Sequence, residues 1–310
     1  MKKTLGFVIA VVSALTIGCG PDNNTSTTSS SSSGGGSGMG SLTVRVSGGK
    51  AAKVGFPVDD NGTITSLADG WSIQFSKVLV SFGAIDVHGT DGAMGVTSTD
   101  RYIVDLHDAV DATVPAFEGL AARQWEHFGF EVTPPDATTI KLNTVEDNYI
   151  QTMTAGKYNY FVEGTATKGA ESIPFVYGIP GAVKNTDCKN DGASGIQIYS
   201  DMTTEAEISI HIAHVFFDAL ENEAAALRFD AMAAVKGADN KITIDEIASQ
   251  QLGSLKDASG MPLKDGSGNP VVYNTGTVQL PTQDLLAFVQ ASTAAMAHLN
   301  GKGMCTTTGL

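Results

Sequence analysis

The stretch WSIQFSKVLVSFGAIDV, residues 71–87, decides the fold class of this chain. After an Asp69-Gly70 turn signal, its first residues alternate between apolar and polar, which is the period of a strand with one buried face. Residues 78–87 are mostly apolar, as in a strand that is covered on both faces. We therefore predict strand structure with one buried face around residues 71–75 and a long strand covered on both faces over residues 78–87.

Six further segments with strand character lie on both sides of this stretch, separated by clusters of Gly, Pro, Asp and Asn. They are residues 42–47, 102–106, 128–132, 158–162, 173–177 and 207–212. The sequence has neither a βαβ alternation nor a GxGxxG motif, which argues against a dinucleotide-binding fold. Many short strands with turns between them predict an antiparallel β-sandwich over residues 42–212.

The segment 213–310 is richer in Ala, Leu and Glu, and we expect it to be helical and to pack on the sandwich as part of one structural unit. Apolar spacing and capping signals predict three helices: one over residues 217–235, one that begins at a capping box of Thr243 and Glu246, and one that is capped by Thr282 and stops at Asn300-Gly301. The predicted fold is thus mainly β with a helical C-terminal section.

The loop KGADNK, residues 236–241, separates the first two of these helices in the manner of an EF-hand. A calcium loop needs oxygen ligands at several fixed positions and a bidentate Glu at the last one. Aligned in this way, the chain keeps only Asp239 and Glu246, and the capping box already explains Glu246. We expect a degenerate EF-hand-like helix–loop–helix that does not bind calcium.

The first twenty residues, MKKTLGFVIAVVSALTIGCG, look like a bacterial lipoprotein signal. A positively charged start precedes an apolar run too short to span a bilayer, and small residues lead to Cys19. We expect removal of residues 1–18, lipidation of Cys19 and a flexible Ser/Gly-rich tether over residues 19–41. The alternative is an ordinary secretory signal, because Thr16 stands where lipoprotein signals usually have Leu.

These features predict a lipid-anchored protein in the envelope of a Gram-negative bacterium, and Gly20 favours the outer membrane. The chain carries 19 basic and 33 acidic residues, which gives a formal charge of −14. Because an acidic surface repels phosphate groups, nucleic acid is excluded as a partner. The expected partners are the membrane, through the lipid, and a protein at the cell surface.

The three cysteines fit an exported protein. With Cys19 lipidated, Cys188 and Cys305 remain as a pair in an oxidising compartment, and we predict a disulfide between them. The alternative is two free, buried thiols. Joint metal ligation is disfavoured because neither cysteine lies in a CxxC or CxxH motif.

Metal-binding chemistry centres on His211 and His214, three residues apart where a predicted strand passes into a predicted helix. This change of structure allows both rings to converge, and Asp218 lies on the same predicted helical face as His214. Two imidazoles and one carboxylate suit zinc, copper or iron. The alternative is that His211 lies exposed at a sheet edge while His214 packs under the helix.

No motif for a catalytic nucleophile is present: the sequence has no GxSxG, HExxH or Walker loop. We therefore predict a non-enzymatic binding or surface-interaction protein that binds a metal through His211 and His214. One alternative is a small envelope metalloenzyme that uses the same histidines. Another is a carbohydrate-binding sandwich, although Trp71 and Trp125 both lie on apolar strands where core packing explains them.

The stretch IHIAHVFFDALENEAAALRFDAMAAVKGADNKITIDEI, residues 210–247, together with AHLNGKGMC, residues 297–305, resembles a group of uncharacterised exported lipoproteins of myxobacteria and related deltaproteobacteria. In that group a His-rich strand end leads into a helix, an EF-hand-like acidic loop and a final His/Gly/Cys segment. The resemblance covers the C-terminal third and implies no activity. This chain differs from the group because its loop lacks most acidic ligands.

Overall fold

The computed structural model describes residues 38–60, 62–109, 111–190, 192–222 and 224–309. Within these ranges the protein is mostly β, with several sheets and a few short helices. The predicted signal, the predicted lipidation at Cys19 and most of the predicted tether lie outside the described residues.

The strands are Met39–Ser47 (β1), Val58–Asp60 (β2), Thr63–Thr65 (β3), Ser72–His88 (β4), Met94–Thr97 (β5), Arg101–Asp105 (β6), Asp111–Thr113 (β7), Phe117–Ala121 (β8), Gln124–Trp125 (β9), His127–Val132 (β10), Ile140–Lys141 (β11), Tyr158–Lys168 (β12), Glu171–Pro180 (β13), Val183–Asn190 (β14), Ala193–Ser194 (β15), Ile196–Gln197 (β16), Thr203–Ile210 (β17), Ile242–Thr243 (β18), Ala297–Leu299 (β19) and Met304–Thr308 (β20). The α-helices are Gly49–Val54 (α1), Asp147–Gly156 (α2), Asp230–Ala233 (α3), Ile244–Ile247 (α4) and Leu285–Ala294 (α5). Two 3-10 helices cover Ile212–Phe216 and Leu252–Ser254.

Strand β4 confirms the strand character predicted at residues 71–75 and 78–87, and it joins both segments in one strand. It runs for 17 residues, and its segment 78–83 is buried without interruption. It pairs antiparallel with β10, β12, β5 and β6, so it forms the centre of the larger sheet. The mostly apolar sequence follows from this central position, because both faces of the strand are covered.

The smaller of the two main sheets is built around β1, which pairs with β17, β7 and β8. The pairing of β1 with β17 is parallel, with Ser41 opposite Thr203. The prediction of a purely antiparallel arrangement is therefore wrong for this sheet. The two strands are separated by most of the domain, so no hairpin forces them to run in opposite directions.

One large hydrophobic core includes residues from both main sheets and from the C-terminal section. Phe216, just after the smaller sheet, contacts the rings of Phe75 and Phe175 in the larger sheet, with centroids 6.3 and 6.2 Å apart. Leu42 and Phe288 belong to the same core and are fully buried. Aromatic contacts of this kind add specific geometry to the burial of apolar area.

The C-terminal section contains less helix than its composition predicts. In place of the helix over residues 217–235, α3 is the only α-helix among the residues of this segment that the structure describes. The chain folds back on itself because the Asp218 amide donates to the Ala226 carbonyl, and Phe217 forms an isolated bridge with Leu227. Tertiary contacts here override the helix propensity of Ala and Leu.

The last helix is also shorter than predicted. Asp284, not Thr282, caps α5, since its carboxylate accepts the Ala287 amide hydrogen at 2.8 Å. After Ala295 the chain leaves the helix and enters β19, which pairs with β17. The predicted end of the helix is therefore a strand, and His298 lies in β19 and not in the helix.

The capping box predicted at the start of α4 is confirmed. The amide of Thr243 donates to Glu246, and the Thr243 side chain accepts from the backbone of Glu246. The helix itself covers only Ile244–Ile247. A correct start signal thus gives the first helical residue but not the length of the helix.

The disulfide between Cys188 and Cys305 is present and joins β14 to β20, which also pair through backbone hydrogen bonds. It closes a loop across a sequence separation of 117 residues. Together with β19 and β18, β20 carries the C-terminal section into both main sheets. None of the helices in the described ranges combines the length and apolar character needed to cross a membrane.

Candidate metal centre

Three histidine side chains, those of His211, His214 and His298, converge at the end of the smaller sheet. Each offers one ring nitrogen, and the three nitrogens all lie within 4.8 Å of one another. All three side chains are partly buried. Among the residues that the structure describes, this is the one group of three or more His, Cys, Asp or Glu side chains with such spacing.

The strand register brings His211 and His298 together. In the antiparallel pair of β17 and β19, Ser209 lies opposite His298. Because side chains two residues apart on a strand share a face, His211 is expected next to His298. The rings are indeed stacked, with centroids 4.4 Å apart and an interplanar angle of 25°.

His214 reaches the same point from the 3-10 helix that follows β17. Its ring lies 6.3 Å from that of His211 and 5.9 Å from that of His298, in edge-on orientation to both. Its Nδ1 donates a hydrogen bond of 3.0 Å to the backbone carbonyl of Ser292. That bond leaves Nε2 as the nitrogen with a free lone pair, which is the form that a metal ion needs.

Burial keeps these imidazoles neutral. Removal from solvent lowers the pKa of His214 to about 4, against an ordinary value of 6.5. The charges of the neighbouring histidines act in the same direction. Burial also lowers the pKa of His211, although a hydrogen bond to the backbone of Gly301 opposes the shift. At neutral pH both rings are therefore neutral, and each has one N–H group and one nitrogen lone pair.

The backbone around the cluster fixes the orientation of the rings. Asn300 and Gly301 both have positive φ and turn the chain from β19 towards β20. The Gly301 amide donates to the Ser209 hydroxyl at 2.8 Å, which holds this turn against β17. The backbone of Gly301 also forms a hydrogen bond with the His211 ring. Metal-ligating histidines are usually oriented by a hydrogen bond of this kind.

Asp218, the predicted third ligand, lies elsewhere. Its Oδ2 accepts a hydrogen bond of 2.7 Å from Arg228 Nε, and its Oδ1 accepts the Ala226 amide hydrogen. The carboxylate is therefore part of an ion pair, and the structure brings His298 to the cluster in its place. His298 was not predicted as a ligand, because the sequence pattern places it at the end of a helix.

The spacing of the three nitrogens suits a transition metal. In a tetrahedral site with metal–nitrogen bonds of about 2.0–2.1 Å, neighbouring nitrogens are about 3.3 Å apart. The nitrogens here lie within 4.8 Å, so small rotations about the broad χ2 torsion of His bring them to that distance. Three imidazole ligands suit zinc, copper or iron and leave one tetrahedral position for a further ligand.

Comparison of this chain with protein-family models, with curated proteins and with solved structures found no match.

Proposed function

We propose that this chain is a lipid-anchored protein of the cell envelope that binds a transition metal ion through His211, His214 and His298. The convergence of three imidazoles carries this proposal: His211 and His214 come from the junction of β17 with the following 3-10 helix, and His298 comes from β19. Such a cluster gains little from packing alone, because three polar rings have been taken out of water. A bound zinc, copper or iron ion would compensate for that cost.

The electrostatics of the cluster support a metal over a set of protonated histidines. The pKa of His214 lies near 4, so this ring stays neutral where the envelope is near neutral pH. Hydrogen bonds to the backbone at Ser292 and Gly301 hold one nitrogen each of His214 and His211. One nitrogen of each of the three rings lies within 4.8 Å of the other two, which supports metal ligands with an outer shell of hydrogen bonds.

The expected location is supported by the disulfide. Structural disulfides persist in oxidising compartments such as the periplasm and are rare in the cytosol. The bond between Cys188 and Cys305 thus agrees with an exported chain. The proposal includes lipidation of Cys19, a flexible tether and location at the outer membrane. It also includes a protein partner at the cell surface.

For the fold, we propose that the two main sheets form a β-sandwich. The apolar residues that they share in one core support this arrangement. We also propose that the turn between α3 and α4 is a degenerate EF-hand-like unit without calcium. Asp239 Oδ1 accepts the Lys241 amide and Glu246 Oε2 accepts the Thr243 amide, so both carboxylates serve the backbone.

The main alternative is a small envelope metalloenzyme at the same histidines. The observation that favours it is the number of ligands: three protein nitrogens leave a tetrahedral position for water or substrate, as in catalytic zinc sites. A cobalt(II)-substituted protein distinguishes the two functions. A visible spectrum that changes on addition of azide indicates an open position and favours the enzyme, whereas an unchanged spectrum favours a closed binding site.

A carbohydrate-binding sandwich is less well supported. Sugar-binding surfaces stack their ligands on exposed aromatic rings, yet Trp71 and Trp125 are each only 3% exposed. The indole nitrogens are also used internally, by Asp230 and by the Ala121 carbonyl.

Elemental analysis tests the proposal. The full chain is purified from membranes in detergent, without chelator and without a metal-affinity resin. We expect bound zinc, copper or iron, with one equivalent lost in the variant His211→Gln/His214→Gln/His298→Gln. His107→Gln is the matched control, because its ring contacts the Ala52 carbonyl away from the cluster. A metal-free wild type that takes up none of the three ions on dialysis would reject the function.

A further inference from the structure

A second pair of imidazoles lies on the larger sheet, far in sequence from the cluster above. His88 on β4 and His127 on β10 are directly opposite in the antiparallel register. Their rings are stacked with centroids 4.3 Å apart and an interplanar angle of 11°. The side chains are 39% and 32% exposed, so an ion from solvent can reach them.

Each of these rings is held by its own carboxylate. His88 Nδ1 donates to Asp86 Oδ2 at 2.7 Å, and His127 Nδ1 donates to Asp187 Oδ1 at 2.5 Å. With Nδ1 used in this way, Nε2 of each ring carries the lone pair. A carboxylate behind each imidazole is the outer shell that raises the basicity of metal-ligating histidines.

The backbone at Asp187 supports a specific role for this arrangement. Asp187 has φ of 50°, a left-handed conformation that is uncommon outside glycine. The pairing of β14 with β20 shifts register between Thr186 and Lys189, around this residue. The irregularity places a carboxylate against His127, and such local strain is often retained where it positions a functional group.

Met94, whose side chain carries a thioether, lies beside His88 in the strand register. The register of β4 with β5 places Met94 opposite His88, at a bulge in which residues 94 and 95 both face one partner residue. Met94 is 67% exposed, so an ion from solvent can reach its side chain. The soft thioether sulfur of Met94 can serve as a metal ligand beside the two imidazoles.

We propose that His88 and His127, with Met94 beside them, form a second metal site at the protein surface and that this site binds copper. Imidazole ligands accept several late transition metals, and among divalent ions copper binds most tightly. Thioether sulfur adds a preference for Cu(I) over zinc. Binding of one ion by both Nε2 atoms requires the two rings to rotate out of the parallel stack, because the lone pair of each nitrogen lies in the plane of its ring.

Copper counting in the full chain tests this site independently of the histidine cluster. The variant His211→Gln/His298→Gln removes the first site and provides the background. After equilibrium dialysis against Cu(II), we expect this background to hold one copper, whose electron paramagnetic resonance spectrum shows coupling to imidazole nitrogen. Adding His88→Gln/His127→Gln abolishes that copper, and adding His107→Gln instead retains it.

Two further variants separate ligand roles from folding. Asp187→Asn keeps both imidazoles and weakens Cu(II) binding about 10- to 100-fold, as expected for loss of a supporting carboxylate. Met94→Leu keeps the Cu(II) count and loses at least about tenfold in Cu(I) affinity against a Cu(I)-selective chelator. Circular dichroism spectra match wild type in each case, because the replaced side chains are exposed.

Retention of copper after His88→Gln/His127→Gln would overturn the site, and so would an equal loss in His107→Gln, which would indicate unspecific binding by surface histidines. An unchanged Cu(I) affinity in Met94→Leu would overturn the role of the thioether. Failure of the first cluster to bind metal leaves this result unaffected, because the background variant already lacks that cluster.

Discussion

His214 and Ser292 exchange two hydrogen bonds across 78 residues of sequence. His214 Nδ1 donates to the Ser292 carbonyl at 3.0 Å, and Ser292 Oγ donates to the His214 carbonyl at 2.7 Å. Ser292 lies in the last turn of α5, where backbone carbonyls lack the usual helical partner. The helix end therefore fixes both the ring and the backbone of one proposed metal ligand.

Removal of the Ser292 hydroxyl tests this positioning. In Ser292→Ala the imidazole keeps its carbonyl partner, but the His214 carbonyl loses its donor. We expect the free energy of unfolding to fall by about 1 kcal/mol, because the side chain of Ser292 is buried and only 4% exposed. We also expect metal affinity at the cluster to fall about tenfold, as for other outer-shell changes.

Ser249→Ala is the control, since Ser249 Oγ also donates to a carbonyl, that of Glu246, but at an exposed site. This change should leave metal affinity unchanged. Urea unfolding and competition with a chromophoric chelator measure the two quantities. Equal metal affinity in Ser292→Ala and wild type would show that the hydroxyl does not position His214.

The strands were predictable because their sequences carry a local signal. Residues 71–87 alternate and then become continuously apolar, and β4 follows that pattern almost to the residue. The order of strands was not predictable in the same way. The parallel pairing of β1 with β17 depends on contacts between residues such as Val46 and Ile208, which one sequence does not link.

The helical section shows where local signals fail. Residues 217–229 have good helix formers, yet Asp218 and Phe217 are used in contacts with the returning chain. The same failure hid His298, whose short strand lies within a segment of Ala and Met that is typical of a helix. The Asn300-Gly301 signal was real, but it marks a turn between strands and not a helix end.

Acid should destabilise the metal-free protein through His214. Its pKa is about 4 in the folded chain and 6.5 by its ordinary value. Between these pH values the unfolded chain binds a proton that the folded chain does not, so the free energy of unfolding falls as the pH falls. By about pH 4 this effect lowers the free energy of unfolding by about 3 kcal/mol relative to neutral pH.

Urea unfolding of wild type and His214→Gln between pH 7.5 and 4.5 isolates this contribution from other groups. The difference between the two profiles should grow towards low pH, because the variant lacks the titrating ring. Ser292→Ala, which keeps the imidazole, should retain the wild-type slope. Parallel profiles for wild type and His214→Gln would contradict the neutral, buried state of this residue.

Lys77 forms the ion pair on which the buried carboxylate of Asp105 depends. Lys77 Nζ lies 3.0 Å from Asp105 Oδ2, and the Asp105 side chain is fully buried. Burial lowers the pKa of Lys77, but the hydrogen bond and charge of Asp105 outweigh it and raise the pKa overall. Lys77→Met should therefore cost about 3–5 kcal/mol, because it leaves a buried charge unpaired.

The matched control is Lys141→Met. Lys141 Nζ lies 2.6 Å from Asp147 Oδ1, a shorter distance, but the Asp147 side chain is 81% exposed. This change should cost less than about 1 kcal/mol, since water replaces the lost partner. Thermal and urea unfolding of both variants compare the two pairs. A similar cost for both variants would contradict the conclusion that burial sets the strength of these ion pairs, and a larger cost for Lys141→Met would show that distance sets it.

The disulfide should stabilise the fold more than it supports the metal cluster. Cys188→Ala/Cys305→Ala opens a loop with a sequence separation of 117, so we expect a loss of about 4–5 kcal/mol in the chain-entropy model. Metal stoichiometry at the cluster should persist, because β19 holds His298 through its own pairing with β17. Urea unfolding and elemental analysis measure both effects. Loss of metal from a variant that remains folded would show that the cluster depends on the covalent link at β20.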